Sequence, residues 1–214
     1  MFKRNHLYTS LIAATMLAGT SVAYAVDVTT TASVTVQNAF ELTKSADLSF
    51  GTLRVTNTLG TGTPAPTAVG AAASVNLPSD GTAMVVTQGS SDASGADGVS
   101  QISVITEGTP AQFAIANAAQ NTRLTLTLPA DGTVALSSPL DRATDIFEVT
   151  FVANEDVTIV AADGTETPFN GINFVTDATG ALGFKLGGTL TVADDAFGFG
   201  DGDYDGDFTV SVNY

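Results

Sequence analysis

Cysteine and tryptophan are both absent from the 214-residue chain, and His6 is its only histidine. Without cysteine there are no disulfides, so the fold must be held by its core or by its partners. The same shortages exclude Ser–His–Asp and Cys–His nucleophile systems and any ordinary zinc site, because His6 lies in a segment that we expect to be removed. A two-carboxylate glycosidase stays formally possible, but tryptophan, the usual platform for sugar rings, is missing. We therefore expect that this protein is not an enzyme.

Basic residues are scarce as well, with 7 lysines and arginines against 22 aspartates and glutamates and a formal net charge of −15. Nucleic acids and anionic membranes bind proteins through cations that replace released counterions, so this balance disfavours both. The acidic residues are scattered along the chain, which is typical of a solvated surface. We expect no nucleic-acid partner.

Long apolar runs are absent except near the start, where Leu7–Ala18 follows two basic residues. This run is shorter than the ~20 apolar residues that cross a bilayer, and the small residues before and at Ala25 match a signal-peptidase site. The pattern predicts a signal peptide over residues 1–25 and a single mature domain over residues 26–214, with no transmembrane anchor. We expect the protein to pass through the periplasm and then to be secreted or held at the cell surface.

In the rest of the chain Thr, Val, Gly and Ala dominate, and apolar residues alternate with polar ones instead of following a helical period. Leu124, Leu126 and Leu128 share one face of such a segment, which is the pattern of a strand with one buried side. Many short strands separated by turn residues predict an all-β fold, an antiparallel β-sandwich of immunoglobulin-like or pilin-like form, with a barrel as the lesser option. The predicted strands are 73–77, 82–87, 101–106, 123–128, 133–137, 146–153, 157–161, 172–176, 182–192 and 208–214. The predicted turns are Asp80-Gly81, Asp131-Gly132, Asp163-Gly164 and Asn170-Gly171, and the predicted loops are Thr56–Gly70 and Gln88–Gly98.

The segment after the expected cleavage point alternates over residues 26–37, with its apolar residues at even positions. A strand averages about 5–6 residues, so this pattern, which continues to Phe40 and Leu42, predicts two consecutive strands or one bent by a bulge. One interpretation makes the segment the first strand of its own sandwich. The other makes it a donor strand that completes the sheet of a neighbouring subunit. Burial of its valines would then contribute on the order of 10 kcal/mol to the free energy of association, before the entropy cost of ordering the segment is subtracted. The pattern alone does not separate the two. The donor-strand candidates are Val26, Val28, Thr30, Ala32, Val34 and Val36.

The other end of the chain alternates too, with Phe208, Val210, Val212 and Tyr214 on one face of a predicted strand. A strand with no residues after it suits either the centre of a sheet or an exposed edge that takes a partner. Fimbrial subunits commonly end in such a strand with an aromatic residue near the terminus, which their chaperone pairs with. These four residues are therefore candidates for a terminal pairing strand.

Three aspartates before this strand invite a metal hypothesis. Asp201, Asp203 and Asp205, followed by Gly206, match the opening of a calcium loop. The twelfth position of such a loop should be a glutamate, but Val212 stands there. The alternative is a hairpin with solvated aspartates. We therefore expect no cofactor, with calcium at these three aspartates as the candidate exception.

Several segments together resemble the bacterial domain-of-unknown-function family 4402. Thr31–Val36 and Phe40–Gly51 are similar to its opening motif, T-A-T-(V/I)…I-T-K-T-x-D-L-x-F-G, and Tyr204–Tyr214 to its closing motif, Y-x-G-x-(F/Y)-x-V-x-V-x-Y. Leu124–Pro129 and Gly187–Val192 match in order between them. The resemblance implies an exported, pilin-like β domain of Gram-negative bacteria, without catalytic residues to carry over. It also implies that the turn near the closing motif forms without metal, since other members lack the aspartates.

Two functions follow as expectations. The first is a structural subunit of a bacterial cell-surface fibre, pilus or coat that assembles by strand donation. Its partners would be copies of itself or related subunits, and a periplasmic chaperone. The second is a monomeric, adhesin-like binding module that uses its loops or calcium. Filaments in the native secreted material would favour the first function, and compact monomers the second.

Overall fold

Alternating side chains produce an almost entirely β structure in the computed structural model, which describes residues 33, 39–58, 72–90, 99–130, 134–137, 147–192 and 200–214. The chain divides into two compact units, Met1–Gln37 and Asn38–Tyr214, and every described strand belongs to the second. The boundary expected after Ala25 lies outside the described residues. No helix in the described part of the chain is long and apolar enough to cross a membrane.

The described residues form fourteen strands and a single helical turn. The strands are β1 (Glu41–Ala46), β2 (Thr52–Thr58), β3 (Ser74–Leu77), β4 (Val85–Thr87), β5 (Val99–Thr106), β6 (Ala111–Ala116), β7 (Thr125–Thr127), β8 (Val134–Leu136), β9 (Phe147–Thr150), β10 (Val157–Val160), β11 (Glu166–Pro168), β12 (Leu182–Leu186), β13 (Gly188–Val192) and β14 (Ser211–Asn213). The helical turn, α1 (Ala153–Asp156), lies between β9 and β10.

Ten of these strands form two five-stranded sheets. The first sheet has the order β1-β6-β12-β10-β11, and the second has the order β4-β3-β13-β9-β8. The other four strands form two ribbons, β2 with β5 and β7 with β14. All of these pairings are antiparallel. The predicted all-β antiparallel sandwich is therefore confirmed.

Apolar side chains on alternate residues of both sheets form the core. On β12, Leu182, Phe184 and Leu186 are buried, while the residues between them are only partly so. The ring of Phe184 stacks on Phe113 of β6, with 4.8 Å between the centroids, and meets Phe174 edge-on at 5.3 Å. Aromatic pairs of this kind add about 0.5–1.5 kcal/mol beyond the area that they remove from water.

A single glycine carries the chain from one sheet to the other. The sequence predicts one strand over 182–192, but β12 lies in the first sheet and β13 in the second, with Gly187 between them. A Cβ at residue 187 would lie 2.1 Å from the carbonyl oxygen of Leu77, so this close crossing requires glycine. The prediction of one continuous strand is therefore wrong.

Most of the other predicted strands are confirmed, with ends that shift by up to three residues. The strand predicted at 172–176 is wrong. Oδ1 of Asn170 accepts hydrogen bonds from the backbone amides of Ile172 at 3.1 Å and Asn173 at 3.0 Å, and this closes a turn where a strand would have to begin. The end of the segment at 146–153 is also wrong, because Ala153 starts α1.

Three strands of the structure, β2, β6 and β11, fall in no predicted strand, and β1 overlaps the predicted N-terminal alternation only at Glu41 and Leu42. β2 extends to Thr58, so the loop predicted from Thr56 begins later than expected. The predicted turns at Gly81, Gly164 and Gly171 are confirmed, since each of these glycines has a positive φ, between 74° and 83°. The turn at Asp131-Gly132 lies outside the described residues.

Candidate functional site

Among the described strands, β2 has a partner on one side only. Its seven residues pair with β5, and no other described strand pairs with its outer side. Leu53 and Val55 are half-buried and pack against the core, whereas Arg54 between them is exposed. β2 therefore presents a row of backbone amide and carbonyl groups that pair with no described strand.

A groove of about 690 Å³ lies between β2 and the segment 200–206. Residues 48–55 form one wall and residues 200–206 form the other, while side chains of β8, β9 and β13 form the floor. The floor residues are Val134, Leu136, Phe147, Val149 and Leu190. All of them are apolar, and all except the half-buried Leu136 are buried in the core, so the groove has a tightly packed apolar base and a strand edge along one side.

Contacts with β8 position the wall at 200–206. Asp205 and Ser137 exchange two backbone hydrogen bonds, each 3.1 Å long. Gly206 approaches β8 so closely that a Cβ there would lie 2.3 Å from the carbonyl oxygen of Ala135. This wall therefore bends at Asp201 and Gly202 and joins the second sheet beyond β8 through a single bridge at Asp205.

The three candidate calcium ligands, Asp201, Asp203 and Asp205, lie along this wall and are exposed. Between the last two, the half-buried Tyr204 turns inward and meets the ring of Phe147 edge-on, with 5.2 Å between the centroids. Asp203 and Asp205 follow the bend at Asp201 and Gly202, and residues two apart on extended backbone are separated by about 6.5 Å, whereas calcium ligands must converge on one point. Across the described ranges, no group of three or more acidic, histidine or cysteine side chains could hold a metal ion. Calcium binding at these aspartates stays a prediction.

The predicted terminal strand packs its apolar face inward. Val212 is buried, Phe208 and Val210 are half-buried against the core, and the polar residues between them are exposed. Only Ser211–Asn213 forms regular structure, as β14, which pairs with β7. A partner for the other side of β14 stays a prediction.

At the end of the chain, Tyr214 joins two other parts of the domain. Its ring meets Phe40 edge-on, with 5.4 Å between the centroids, and its hydroxyl oxygen accepts a hydrogen bond from the backbone amide of Ala119 at 3.0 Å. The residue is nevertheless 48% exposed. The chain entering β1 is thus fixed beside the end of β14.

The donor-strand candidates lie outside the described residues, so their pairing stays a prediction. These are Val26, Val28, Thr30, Ala32, Val34 and Val36. Most of the two predicted loops, 59–70 and 91–98, lies outside them as well.

Asp156 is the one carboxylate that is buried among the described residues, at 3% exposed. Its two oxygens accept hydrogen bonds from the backbone amide of Val152 at 2.7 Å and from the side-chain amide of Asn76 at 3.3 Å. Burial raises the pKa of Asp156 above its ordinary value of 3.8, in spite of these hydrogen bonds, which lower it. The carboxylate lies in a network of hydrogen bonds and is not part of the groove lining.

A model of the family described as a domain of unknown function (DUF4402) matches residues 70–214, which is more than half of the chain. The chain belongs to this family. The match contains the closing motif and the two internal motifs, while the opening motif precedes it. No curated protein and no solved structure matches the chain.

The groove of this DUF4402 domain is the feature that sequence reasoning missed. Its lining residues come from parts of the chain that no local pattern connects: residues 48–55, Val134, Leu136, Phe147, Val149, Leu190, residues 200–206 and Phe208. The only signal for β2 is the alternation of Leu53, Arg54 and Val55, which spans too few residues to separate a strand from the Gly-Thr-Pro tract that follows. The sheet topology therefore determines which edges lack a described partner.

Proposed function

We propose that this DUF4402 domain is a structural subunit of a bacterial cell-surface fibre, pilus or coat, and that its copies assemble by β-strand complementation. The observation that carries the proposal is a mismatch in strand pairing. β2 offers an edge with no described partner, while the chain also carries an apolar alternating segment, Val26–Val36, that needs a sheet to cover it. Strand addition satisfies both requirements through main-chain hydrogen bonds and buried valines.

Export is part of this proposal. The basic pair, the short apolar run and the small residues that end at Ala25 support removal of residues 1–25 during passage to the periplasm. Cleavage there makes Val26 the first residue of the mature chain. Copies of the protein or related subunits are the proposed partners, with a periplasmic chaperone that protects the unpaired edge before assembly.

Catalysis is not part of the proposal. Hydrolysis of a glycoside needs two carboxylates at a fixed separation, one of them held with a raised pKa. In the part of the chain that the structure describes, Asp156 alone is buried, and both of its oxygens are engaged by Val152 and Asn76. This arrangement supports a structural role for the domain.

The test uses two matched double variants of the donor segment. Val28→Asp/Val34→Asp places charges on its apolar face, and Thr29→Asp/Thr35→Asp places the same charges on its polar face. We expect the first pair to abolish polymers and the second to leave them intact, because only the apolar face would be buried. Mass spectrometry first identifies the N-terminal residue of the exported protein. Size-exclusion chromatography and electron microscopy then show whether that protein forms polymers. Normal polymers from the first pair would refute strand complementation by this segment.

A second candidate function is a monomeric, adhesin-like secreted module that takes a ligand in the groove. The volume of about 690 Å³ lies within the ~300–1,000 Å³ that ligand sites occupy, and three aspartates line one wall. Compact monomers in the native secreted material would support this function over the first.

A further inference from the structure

We infer that the groove between β2 and the segment 200–206 is the acceptor site, and that Val26–Val36 of a second copy fills it as an added strand beside β2. The inference rests on the proposed function and names the surface through which it would act. Four observations bear on the choice of groove and occupant: the character of the edges, the floor, the charges and the reach of the chain.

The edges of the two sheets differ in how well they accept another strand. Proteins block such edges with short strands, charged residues, proline or bulges. β11 has three residues and ends in Pro168, β8 is covered by Asp205, and β1 carries Glu41 and Lys44 together with a bulge. β4, also three residues long, is followed by Gly89, whose amide donates to a carbonyl oxygen of β5.

β2 lacks most of these devices. It has seven residues, no proline and a single charged side chain, Arg54, and its one bulge lies at its first step, between Thr52 and Leu53. It is therefore longer than every outer strand of the two five-stranded sheets, of which β1, with six residues, is the longest. Eleven residues of extended chain span about 36 Å, which is more than the ~23 Å that β2 requires.

The floor of the groove suits a segment with one apolar face. A strand laid beside β2 would place alternate side chains on the same face as Leu53 and Val55, which are half-buried against the core, and the others on the face of the exposed Arg54. Valine, alanine and threonine occupy the even positions of 26–36, and polar residues occupy the odd ones. The alternation of the segment thus matches a groove with an apolar base and an open top.

The charges favour this segment over other parts of the chain. Three aspartates line one wall of the groove, and the protein as a whole has 22 acidic residues against 7 basic ones. Residues 26–36 contain one charged side chain, Asp27, which the free α-amine of Val26 would balance after cleavage. A near-neutral strand enters an acidic groove without the repulsion that a typical segment of this chain would meet.

Chain length favours a second copy over the same molecule. Phe40 is held against Tyr214, at the start of β1, whereas the groove wall begins at Leu48, beyond the other end of β1. β1 spans about 17 Å, and the four steps from Val36 to Phe40 reach at most about 14 Å. Insertion of Val36 into the same molecule's groove at that end would therefore overstretch the connection.

Disulfide trapping tests the inference, because the chain has no cysteine of its own. Ser33→Cys labels the polar face of the donor segment, and Arg54→Cys or Thr56→Cys labels the exposed face of β2. Control acceptors are Thr43→Cys on the edge strand β1 and Thr167→Cys on the edge strand β11. Full-length single-cysteine proteins are mixed in pairs and oxidised, so a donor–acceptor disulfide can form only between two copies.

We expect Ser33→Cys to form mixed disulfides with a β2 acceptor about a hundredfold faster than with either control, since strand pairing raises the effective concentration from micromolar toward millimolar. Fast trapping at β1 or β11 in protein that still polymerises would overturn the inference while leaving strand complementation in place. Rapid internal cross-linking of a dilute Ser33→Cys/Thr56→Cys monomer would overturn it in favour of pairing within one chain. Protein that stays monomeric under all conditions would refute the proposed function together with the inference.

A blocking variant provides a second readout. Val55→Lys places a charge on the groove side of β2, and Val104→Lys places the same charge on β5, at a position that is also half-buried against the core but does not line the groove. We expect Val55→Lys to abolish polymers and Val104→Lys to retain them, with circular dichroism showing that both fold. Polymers from folded Val55→Lys would overturn the inference.

Discussion

The backbone amide of Val152 donates a hydrogen bond to the carboxylate of Asp156 at 2.7 Å, across the one helical turn between β9 and β10. Asn76 donates to the other carboxylate oxygen at 3.3 Å and to the hydroxyl of Thr189 at 3.0 Å. The network links α1 to β3 and β13 and satisfies the carboxylate without a cation. An ionised group held only by hydrogen bonds retains much of its desolvation cost.

Replacement of this carboxylate, Asp156→Asn, should change how stability depends on pH. Because the folded pKa is raised above 3.8, Asp156 contributes most below that value, and its contribution is lost as pH rises through the folded pKa. The variant has no carboxyl group at residue 156, so its stability does not fall in this way as the pH rises. We expect the free energy of unfolding of the variant, relative to wild type, to increase between about pH 3.5 and about pH 7 in urea titrations. A difference that is constant over this range would contradict the raised pKa.

Asp177 should show the opposite dependence. Its carboxylate accepts hydrogen bonds from the amides of Thr179 at 2.7 Å and Ala181 at 2.9 Å, and the hydroxyl of Thr179 adds a third at 2.7 Å. These bonds, with that of Ala181 first, lower the pKa of Asp177 below 3.8. Its stabilisation is therefore present above 3.8 and lost as pH falls through the folded pKa. Asp177→Ala should be less stable than wild type at neutral pH, with a deficit that shrinks on acidification; an equal deficit at both pH values would refute this.

Backbone conformation explains why parts of the fold could be predicted and others could not. Strands with large alternating residues, such as Leu182–Leu186, are visible because each inward side chain contributes to the core. β6 has alanine at three of its six positions and escapes the same analysis. The break at Gly187 is invisible since apolar residues continue on both sides of it, and only the nearby carbonyl of Leu77 shows why the chain must turn there.

Gly180 provides a test of such a close approach. Its φ is +80°, and a Cβ there would lie 2.1 Å from the carbonyl oxygen of Ala118, while Gly164 has a φ of +82° and nothing within 4 Å. Both Gly→Ala variants incur the left-handed backbone cost of about 1–2 kcal/mol, but only Gly180→Ala adds an overpacking cost of about 1–3 kcal/mol. We expect the variant at 180 to lose about 2–5 kcal/mol in urea unfolding and the variant at 164 about 1–2 kcal/mol. Equal losses would show that the contact with Ala118 relaxes freely.

The candidate site could be predicted only in part, for a reason of distance along the chain. The alternation after Ala25 and the aspartates before β14 are local patterns and are visible in the sequence. The groove exists because Leu53, Leu190 and Tyr204, which are far apart in sequence, line the same space. Whether a strand has a free edge is a property of the sheet order, and no stretch of residues encodes it by itself.

Calcium distinguishes the two candidate functions, and we expect it to leave the thermal midpoint unchanged. Asp203 and Asp205 flank Tyr204 on an extended segment, which separates their carboxylates instead of gathering them around one ion. A site with the affinity of an extracellular module, about 10⁻⁴–10⁻³ M, would be occupied at about 10 mM calcium and would add roughly 1.4 kcal/mol or more. For a domain of this size that corresponds to a rise of about 3–6 °C.

The triple variant Asp201→Asn/Asp203→Asn/Asp205→Asn is the matched control, since it keeps the shape of the wall and removes its charge. With no bound ion, wild type and variant should respond identically to calcium and to magnesium at equal ionic strength. A rise that calcium alone produces, and that the triple variant loses, would place the ion on the groove wall. Calcium would then neutralise the charges that favour a near-neutral donor strand, and the ligand-binding function would become the better supported of the two.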